Sequence, residues 1–129
     1  MFTSISALGD NLFFSNATDG LKHYNLTSVV IDSSALNFSQ IVTHKGRLWG
    51  IGRSSDTRTI YGSEYLDGTN FALAVDPVDT DPVRIEVQGK LDEILTVLFP
   101  SYKDKLVWYK GTSFGGISGS RLSPSAVPA

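Results

Sequence analysis

Two histidines, His23 and His44, are the side chains of this sequence best suited to bind a transition metal or to exchange protons near neutral pH. His23 stands in a strand-like run beside Tyr24, and His44 opens a turn. Zinc sites usually need three or four ligands, and the chain has no cysteine to add to the histidines. The sequence therefore predicts no metal site and no disulfide scaffold.

Carboxylates cluster in one loop, where Asp76, Asp79 and Asp81 stand close to two prolines. Calcium binds carboxylates of such loops, but the spacing does not match the twelve-residue calcium loop with glycine at its sixth position. A solvated turn is the more ordinary interpretation. The prolines block regular pairing, so residues 76–82 are predicted to form a loop.

Glycoside hydrolysis would need two facing carboxylates. The candidates are Glu64, Asp67, Asp92 and Glu93. No feature of the sequence pairs them, and charge on the surface explains them equally well. A nucleophilic serine lacks support too, because no G-x-S-x-G motif occurs. No glycine-rich phosphate loop occurs either. We therefore predict a protein with no catalytic residues and no cofactor, which is not an enzyme.

Five aromatic residues could form a platform on which sugars or bases stack: Trp49, Tyr61, Trp108, Tyr109 and Phe114. Aromatic residues in strands more often belong to the core. Because side chains alternate across a strand, each of the two tryptophans should point to the opposite side from its neighbours. We favour the core interpretation for this group.

Composition excludes several classes of function. The 129 residues carry a net charge of −2, and 19% of them are charged. There is no run of lysine and arginine that could follow a phosphate backbone, so no nucleic-acid partner is expected. No stretch approaches the roughly 18 consecutive apolar residues of a membrane-spanning helix. The N-terminus lacks the basic start and the apolar core of a signal peptide.

Short runs rich in β-branched and aromatic residues dominate the chain. Each is bounded by Gly, Asp, Asn, Ser or Pro, which is typical of strands. They cover residues 12–15, 21–24, 28–31, 38–43, 47–51, 58–63, 83–87, 94–99, 105–109 and 113–118. Asp19-Gly20 is the strongest hairpin signal. A single helical turn is possible only at 90–95, and residues 119–129 have the composition of a tail.

A loose repeat connects three of these runs. In each, a polar turn leads into leucine and an aromatic-rich strand, as at Leu12, Leu48 and Leu106, and a second strand follows. Hairpins repeated in this way are typical of propeller blades. We predict an all-β fold of antiparallel hairpin repeats, either propeller-blade-like or sandwich- or barrel-like. About three hairpin units form a single domain over residues 1–118.

The same residues resemble bacteriophage tail and neck structural proteins of the β-propeller type. The likeness covers residues 9–119, although typical members are several times longer. It lies in the Asn-Ala-Thr-Asp-Gly turn of 11–24, in the hairpin and loop of 44–52 and 60–71, and in the Asp-Pro loop before 105–114. The resemblance implies a virion protein of the tail or the portal–tail junction that assembles with other virion proteins, and we expect a homo-oligomer. The alternative is a carbohydrate-binding or carbohydrate-active β-protein.

Overall fold

The computed structural model describes residues 3–87, 95–102, 105–110, 113–118 and 125–128. Within these ranges the regular structure consists of strands alone, without a helix. In chain order the strands are β1 (Ser4–Leu8), β2 (Asn11–Asn16), β3 (Gly20–Tyr24), β4 (Val29–Ser33), β5 (Gln40–His44), β6 (Arg47–Ile51), β7 (Thr59–Gly62), β8 (Val83–Glu86), β9 (Leu95–Tyr102), β10 (Lys105–Lys110), β11 (Ser113–Ser118) and β12 (Ser125–Pro128).

Consecutive strands pair to give three antiparallel sheets of four strands each. Sheet 1 contains β1 to β4, sheet 2 contains β5 to β8, and sheet 3 contains β9 to β12, each in chain order. The first strands of the sheets adjoin, because β1 packs against β5 and β5 packs against β9. The all-β class with repeated antiparallel hairpins is thus confirmed.

The ten predicted runs all correspond to strands, with ends that differ by up to a few residues. Two strands were not predicted, β1 and β12. The expected tail at 119–129 contains β12, which pairs with β11 as the last strand of sheet 3. Residues 119–124 lie outside the described ranges. So do residues 90–94 of the possible helical turn, whose last position, Leu95, begins β9.

Burial follows the order of the sheets. In β2 it alternates, because Phe13 and Ser15 are buried whereas Leu12 is exposed. In β6 and β7 every residue is buried. Alternation indicates a strand covered on one face, and continuous burial indicates one covered on both faces. Sheet 2 therefore lies between the other two sheets.

Two apolar clusters fill the spaces on either side of sheet 2. The cluster between sheets 1 and 2 consists of Leu8, Phe13, Leu21, Phe38, Ile41, Leu48, Tyr61 and Phe71. The cluster between sheets 2 and 3 consists of Trp49, Ile51, Ile60, Val87, Leu95, Leu98, Leu106, Trp108 and Ile117. Side chains of β6 and β7 alternate between the two clusters, which is why these two strands have no exposed face.

Polar side chains join the first strands of neighbouring sheets. Ser4 Oγ accepts from the backbone N–H of Ile41 at 2.9 Å and donates to its carbonyl oxygen at 3.2 Å. The Gln40 side chain does the same to Leu98, accepting from its N–H at 2.8 Å and donating to its carbonyl at 2.9 Å. Ser4 and Gln40 are each the first residue of their sheet. These bonds fix the register of one sheet relative to the next.

Candidate functional site

The two histidines lie in different sheets, and both are buried. His23, in β3, has its Nδ1 2.8 Å from each carboxylate oxygen of Asp32 in β4, and its ring is 5.4 Å from that of Phe13. His44 ends β5, where its carbonyl oxygen accepts a hydrogen bond from Trp49 Nε1 at 3.0 Å. In the part of the chain that the structure describes, no group of three or more His, Asp or Glu side chains could hold a metal ion.

Asp32 and His23 form a buried acid–base pair. Burial raises the pKa of the Asp32 carboxyl, while the hydrogen bond and the charge of His23 act in the opposite direction. Asp67, which belongs to sheet 2's long loop, adds a smaller contribution that raises the same pKa. The pair fixes β3 to β4. It was not predicted, because nothing in the sequence marks Asp32 as buried.

The loop that contains Asp79 and Asp81 surrounds the guanidinium of Arg47. Arg47 is fully buried. Its guanidinium donates to the carbonyl oxygens of Ser63 and Asp81 at 2.7 Å, and to that of Asp79. Arg47 thereby holds the loop that connects β7 to β8. Burial lowers the pKa of Arg47, and the nearby charges of Asp81 and Asp79 oppose that effect.

Glu64 and Asp67, two of the carboxylates considered for glycoside hydrolysis, accept hydrogen bonds within the turn that contains them. Glu64 Oε1 accepts from Asn70 Nδ2 at 2.9 Å. Asp67 Oδ1 accepts from the N–H of Thr69 at 3.0 Å and from its hydroxyl at 2.6 Å. Asp92 and Glu93 lie outside the described residues. The described pair thus closes a local turn.

Three of the five aromatic candidates are core residues, as favoured from the sequence. Trp49, Tyr61 and Trp108 are no more than 6% exposed. Tyr109 differs, because 48% of it is exposed. The side chain of Phe114 lies outside what the structure describes. Tyr109 points to the opposite side of β10 from Trp108 and therefore faces away from sheet 2.

The face of sheet 1 that points away from sheet 2 exposes several apolar side chains, with Lys22 on the same face between Phe14 and Ile31. We call it the sheet 1 outer face and define it by Ile5, Leu12, Tyr24, Val29 and Ile31. Leu12, Tyr24 and Val29 lie side by side on β2, β3 and β4. The exposed fractions of the five residues are 62%, 42%, 38%, 57% and 67%, respectively. Contiguous apolar surface of this kind marks interaction sites in soluble proteins.

Sheet 3 has a corresponding face on its own far side. We call it the sheet 3 outer face and define it by Val97, Val107 and Tyr109. Val97 and Tyr109 are paired across β9 and β10, and their exposed fractions are 38% and 48%, respectively. Val107 precedes Tyr109 by two positions and is half-buried on the same side of β10. The described molecule thus has apolar surface at both ends of its row of sheets.

Equivalent positions explain the sheet 1 outer face. Leu12, Leu48 and Leu106 are each the second residue of the second strand of their sheet. Leu48 and Leu106 are fully buried against the preceding sheet, whereas 42% of Leu12 is exposed. The second residues of the first strands of sheets 1 and 2 differ in the same way, since Ile41 is 2% exposed and Ile5 is 62% exposed, whereas the second residue of β9, Thr96, is exposed. The sheet 1 outer face is therefore the face that a preceding sheet covers elsewhere in the chain.

Sheet 3 differs from sheets 1 and 2 on the face of each sheet that meets the following sheet. The fifth residues of the second strands are Ser15, Ile51 and Tyr109. Ser15 and Ile51 are buried beneath the following sheet, whereas Tyr109 is 48% exposed. The sequence repeat already contained this signal, because its leucine marks the face that meets a preceding sheet. Only the structure shows which leucine lacks one.

A cleft lies where the first strands of the three sheets meet. It is lined by Ser4, Ser39, Gln40, Thr96 and Val97 and has a volume of about 370 Å³. None of these side chains titrates, so the cleft offers no acid–base pair.

No helix within the described ranges is long and apolar enough to cross a membrane. Comparison of the chain with protein-family models, with curated proteins and with solved structures finds no match.

Proposed function

We propose that this chain is a structural subunit, without enzymatic turnover, of a phage tail or neck, and that it assembles through its two outer faces with further copies of itself or with other virion proteins. The observation that carries the proposal is the exposure of Ile5 and Leu12 at positions that are buried in the following sheets. When apolar positions that are buried between repeat units are exposed in a terminal unit, they form a surface suited to packing against another unit.

The free energy available at these faces favours association. Covering a large apolar side chain that was fully exposed contributes about 1.5 to 3 kcal/mol. The five residues of the sheet 1 outer face are 38% to 67% exposed, so each contributes only part of that amount. The apolar centre of a protein interface commonly consists of such residues, with polar groups at its rim.

Placement in a virion tail or neck is supported by the resemblance of residues 9–119 to the turns and strands of phage tail and neck proteins. The proposed partners are other virion proteins, together with further copies of this chain. In such an assembly, four-stranded sheets of different subunits would pack face to face, as sheets 1, 2 and 3 do within this chain.

A carbohydrate-binding or carbohydrate-active protein is the rival proposal. It would use exposed aromatic rings and a pair of free carboxylates. Trp49, Tyr61 and Trp108 are buried, and Glu64 and Asp67 accept hydrogen bonds within one turn. The described residues therefore give this rival less support than they give assembly.

The test is binding of the purified chain to virion and tail preparations, measured by co-sedimentation. We expect the chain to sediment with tails, and Ile31→Asp to abolish this because the charge would be buried in the contact. Val78→Asp is the matched control, since Val78 is 66% exposed in the loop before β8, away from the outer faces. A chain that binds no tail or virion component contradicts the proposal, and binding to immobilised glycans would favour the rival.

A further inference from the structure

We infer that the two outer faces are the two halves of one interface, so that sheet 3 of one copy covers sheet 1 of a second copy. Two copies then close a ring of six sheets. This inference rests on the proposed function in one respect, namely that the outer faces are docking surfaces. It adds the identity of the partner and the residues that meet.

The contacts within the chain define what each face requires. Between sheets 1 and 2, Ile41 and Leu48 of the later sheet pack with Phe13 and Leu21 of the earlier one. Between sheets 2 and 3, Leu106 of the later sheet packs in one cluster with Trp49 of the earlier one. In both clusters the second-position leucine of the later sheet thus lies together with the third-position residue of the sheet before it.

The same rule assigns a partner to Leu12. It needs a sheet whose third-position residue is uncovered, and among the described sheets that residue is Val107 of sheet 3. Sheet 3 of the same chain is separated from sheet 1 by sheet 2, and Leu12 and Tyr109 both remain exposed. Among copies of this 129-residue chain, the sheet that can cover Leu12 is therefore sheet 3 of another copy.

The number of sheets selects two copies. Four-stranded meanders whose first strands adjoin are the blades of a propeller, and closed propellers have about four to eight blades. The described residues of one chain form three sheets. Two copies give six, inside that range, while one copy is below it and three copies exceed it. In the ring, β1, β5 and β9 line the centre, and the cleft beside Ser4 and Gln40 lies among these strands.

The ring is joined head to tail, and this separates it from other dimers. A dimer that docks the sheet 1 outer face onto its own copy would leave Val97 and Tyr109 exposed. The head-to-tail ring covers both outer faces at two identical contacts, which a two-fold axis through the centre relates. Neither contact leaves an apolar face uncovered, so the assembly stops at two copies.

Because the chain has no cysteine, single introduced cysteines report the geometry. Leu12→Cys chains and Tyr109→Cys chains are mixed and treated with a short bismaleimide linker. We expect covalent dimers in the mixture and none with either variant alone. Ala72→Cys, exposed in the loop before β8, replaces Leu12→Cys as the matched control and should give no product. Linking of Leu12→Cys chains to one another, or no linking in the mixture, overturns the inference.

Light scattering on the unmodified chain gives an independent measurement. We expect twice the chain mass of 14.0 kDa at high concentration and dissociation on dilution. Leu12→Asp and Tyr109→Asp should each raise the dissociation constant at least about tenfold, whereas Val78→Asp should not. A monomer at every concentration, or a larger oligomer, overturns the inference. A monomer that still joins tails would leave the proposed function intact, and a ring that joins no virion component would contradict the function alone.

Discussion

Leu12 and Leu48 occupy the same position in successive sheets, yet Leu48 is fully buried while 42% of Leu12 is exposed. The difference arises from the neighbour, because sheet 1 covers Leu48 and no described sheet covers Leu12. The two side chains therefore provide a matched pair for measuring what the covering sheet contributes.

Leu48→Ala should lower the free energy of unfolding by about 2 to 5 kcal/mol, because it leaves a cavity between sheets 1 and 2. Leu12→Ala, measured in dilute protein where copies do not meet, should lower it by less than about 1 kcal/mol. Urea denaturation followed by tryptophan fluorescence gives both values. Equal losses for the two variants would contradict the assignment of Leu12 to an uncovered face.

Gly20 is the residue that enters β3 after the Asp19 turn, and its backbone has a φ of +79°. A Cβ at this position would overlap the carbonyl oxygen of Ser33 and lie 2.6 Å from Cα of Ser34. Gly20→Ala should therefore cost more than the roughly 1 to 2 kcal/mol of left-handed backbone alone. Thermal unfolding measures the loss.

Gly9→Ala is the control for this effect. Gly9 also has a positive φ, +61°, but a Cβ there has no atom within 4 Å. Its substitution should show the backbone cost without the overlap. If the two alanine variants unfold at the same temperature, the close approach of β4 to Gly20 is not what constrains this turn.

Arg47→Leu should destabilise the protein by about 3 kcal/mol or more, because it leaves the buried carbonyl oxygen of Ser63 and the part-buried ones of Asp79 and Asp81 without their donor. The loop before β8 should also become susceptible to proteolysis. Arg84→Leu is the control, since this exposed guanidinium lies over the Tyr61 ring at 5.1 Å. That contact contributes about 0.5 to 1 kcal/mol. Resistance of the loop in Arg47→Leu would show that other contacts hold it.

Stability should depend on pH through Asp32. Burial raises its carboxyl pKa, so the folded state keeps this proton to a higher pH than the unfolded chain does. Between the two pKa values the folded state binds more protons, and stability falls as pH increases. This contribution is fully present below the unfolded pKa of about 4 and is lost as pH rises through the folded pKa.

Asp32→Asn retains an oxygen that can accept from His23 and removes the titration. The stability of Asp32→Asn relative to the unsubstituted protein should therefore increase as pH rises from about 3. Urea midpoints across the acid range measure the difference, and Asp10→Asn, an exposed position, controls for loss of a surface charge. A difference that is constant with pH would contradict a raised Asp32 pKa.

The sequence by itself determined the class of the fold and most of its strands. Alternating β-branched and aromatic residues set a local period, and Gly and Asp at the turns limit each strand, so both can be recognised without knowing any neighbour. The repeated leucines at Leu12, Leu48 and Leu106 were also visible. Ser4–Leu8 was missed because it has a single β-branched residue, Ile5, and no aromatic residue, and it is a strand through its pairing with β2.

Tertiary structure decided which side of each strand is covered. Local alternation places Leu12 and Phe13 on opposite faces, but only the position of sheet 2 makes Phe13 the buried one. The same holds for Tyr109, which the sequence assigned to the core and which faces away from sheet 2. The Arg47 contacts and the pairing of His23 with Asp32 join residues distant in the chain or across a strand pair. Burial and charge pairing depend on such neighbours, and the chain acquires them only when its sheets stack.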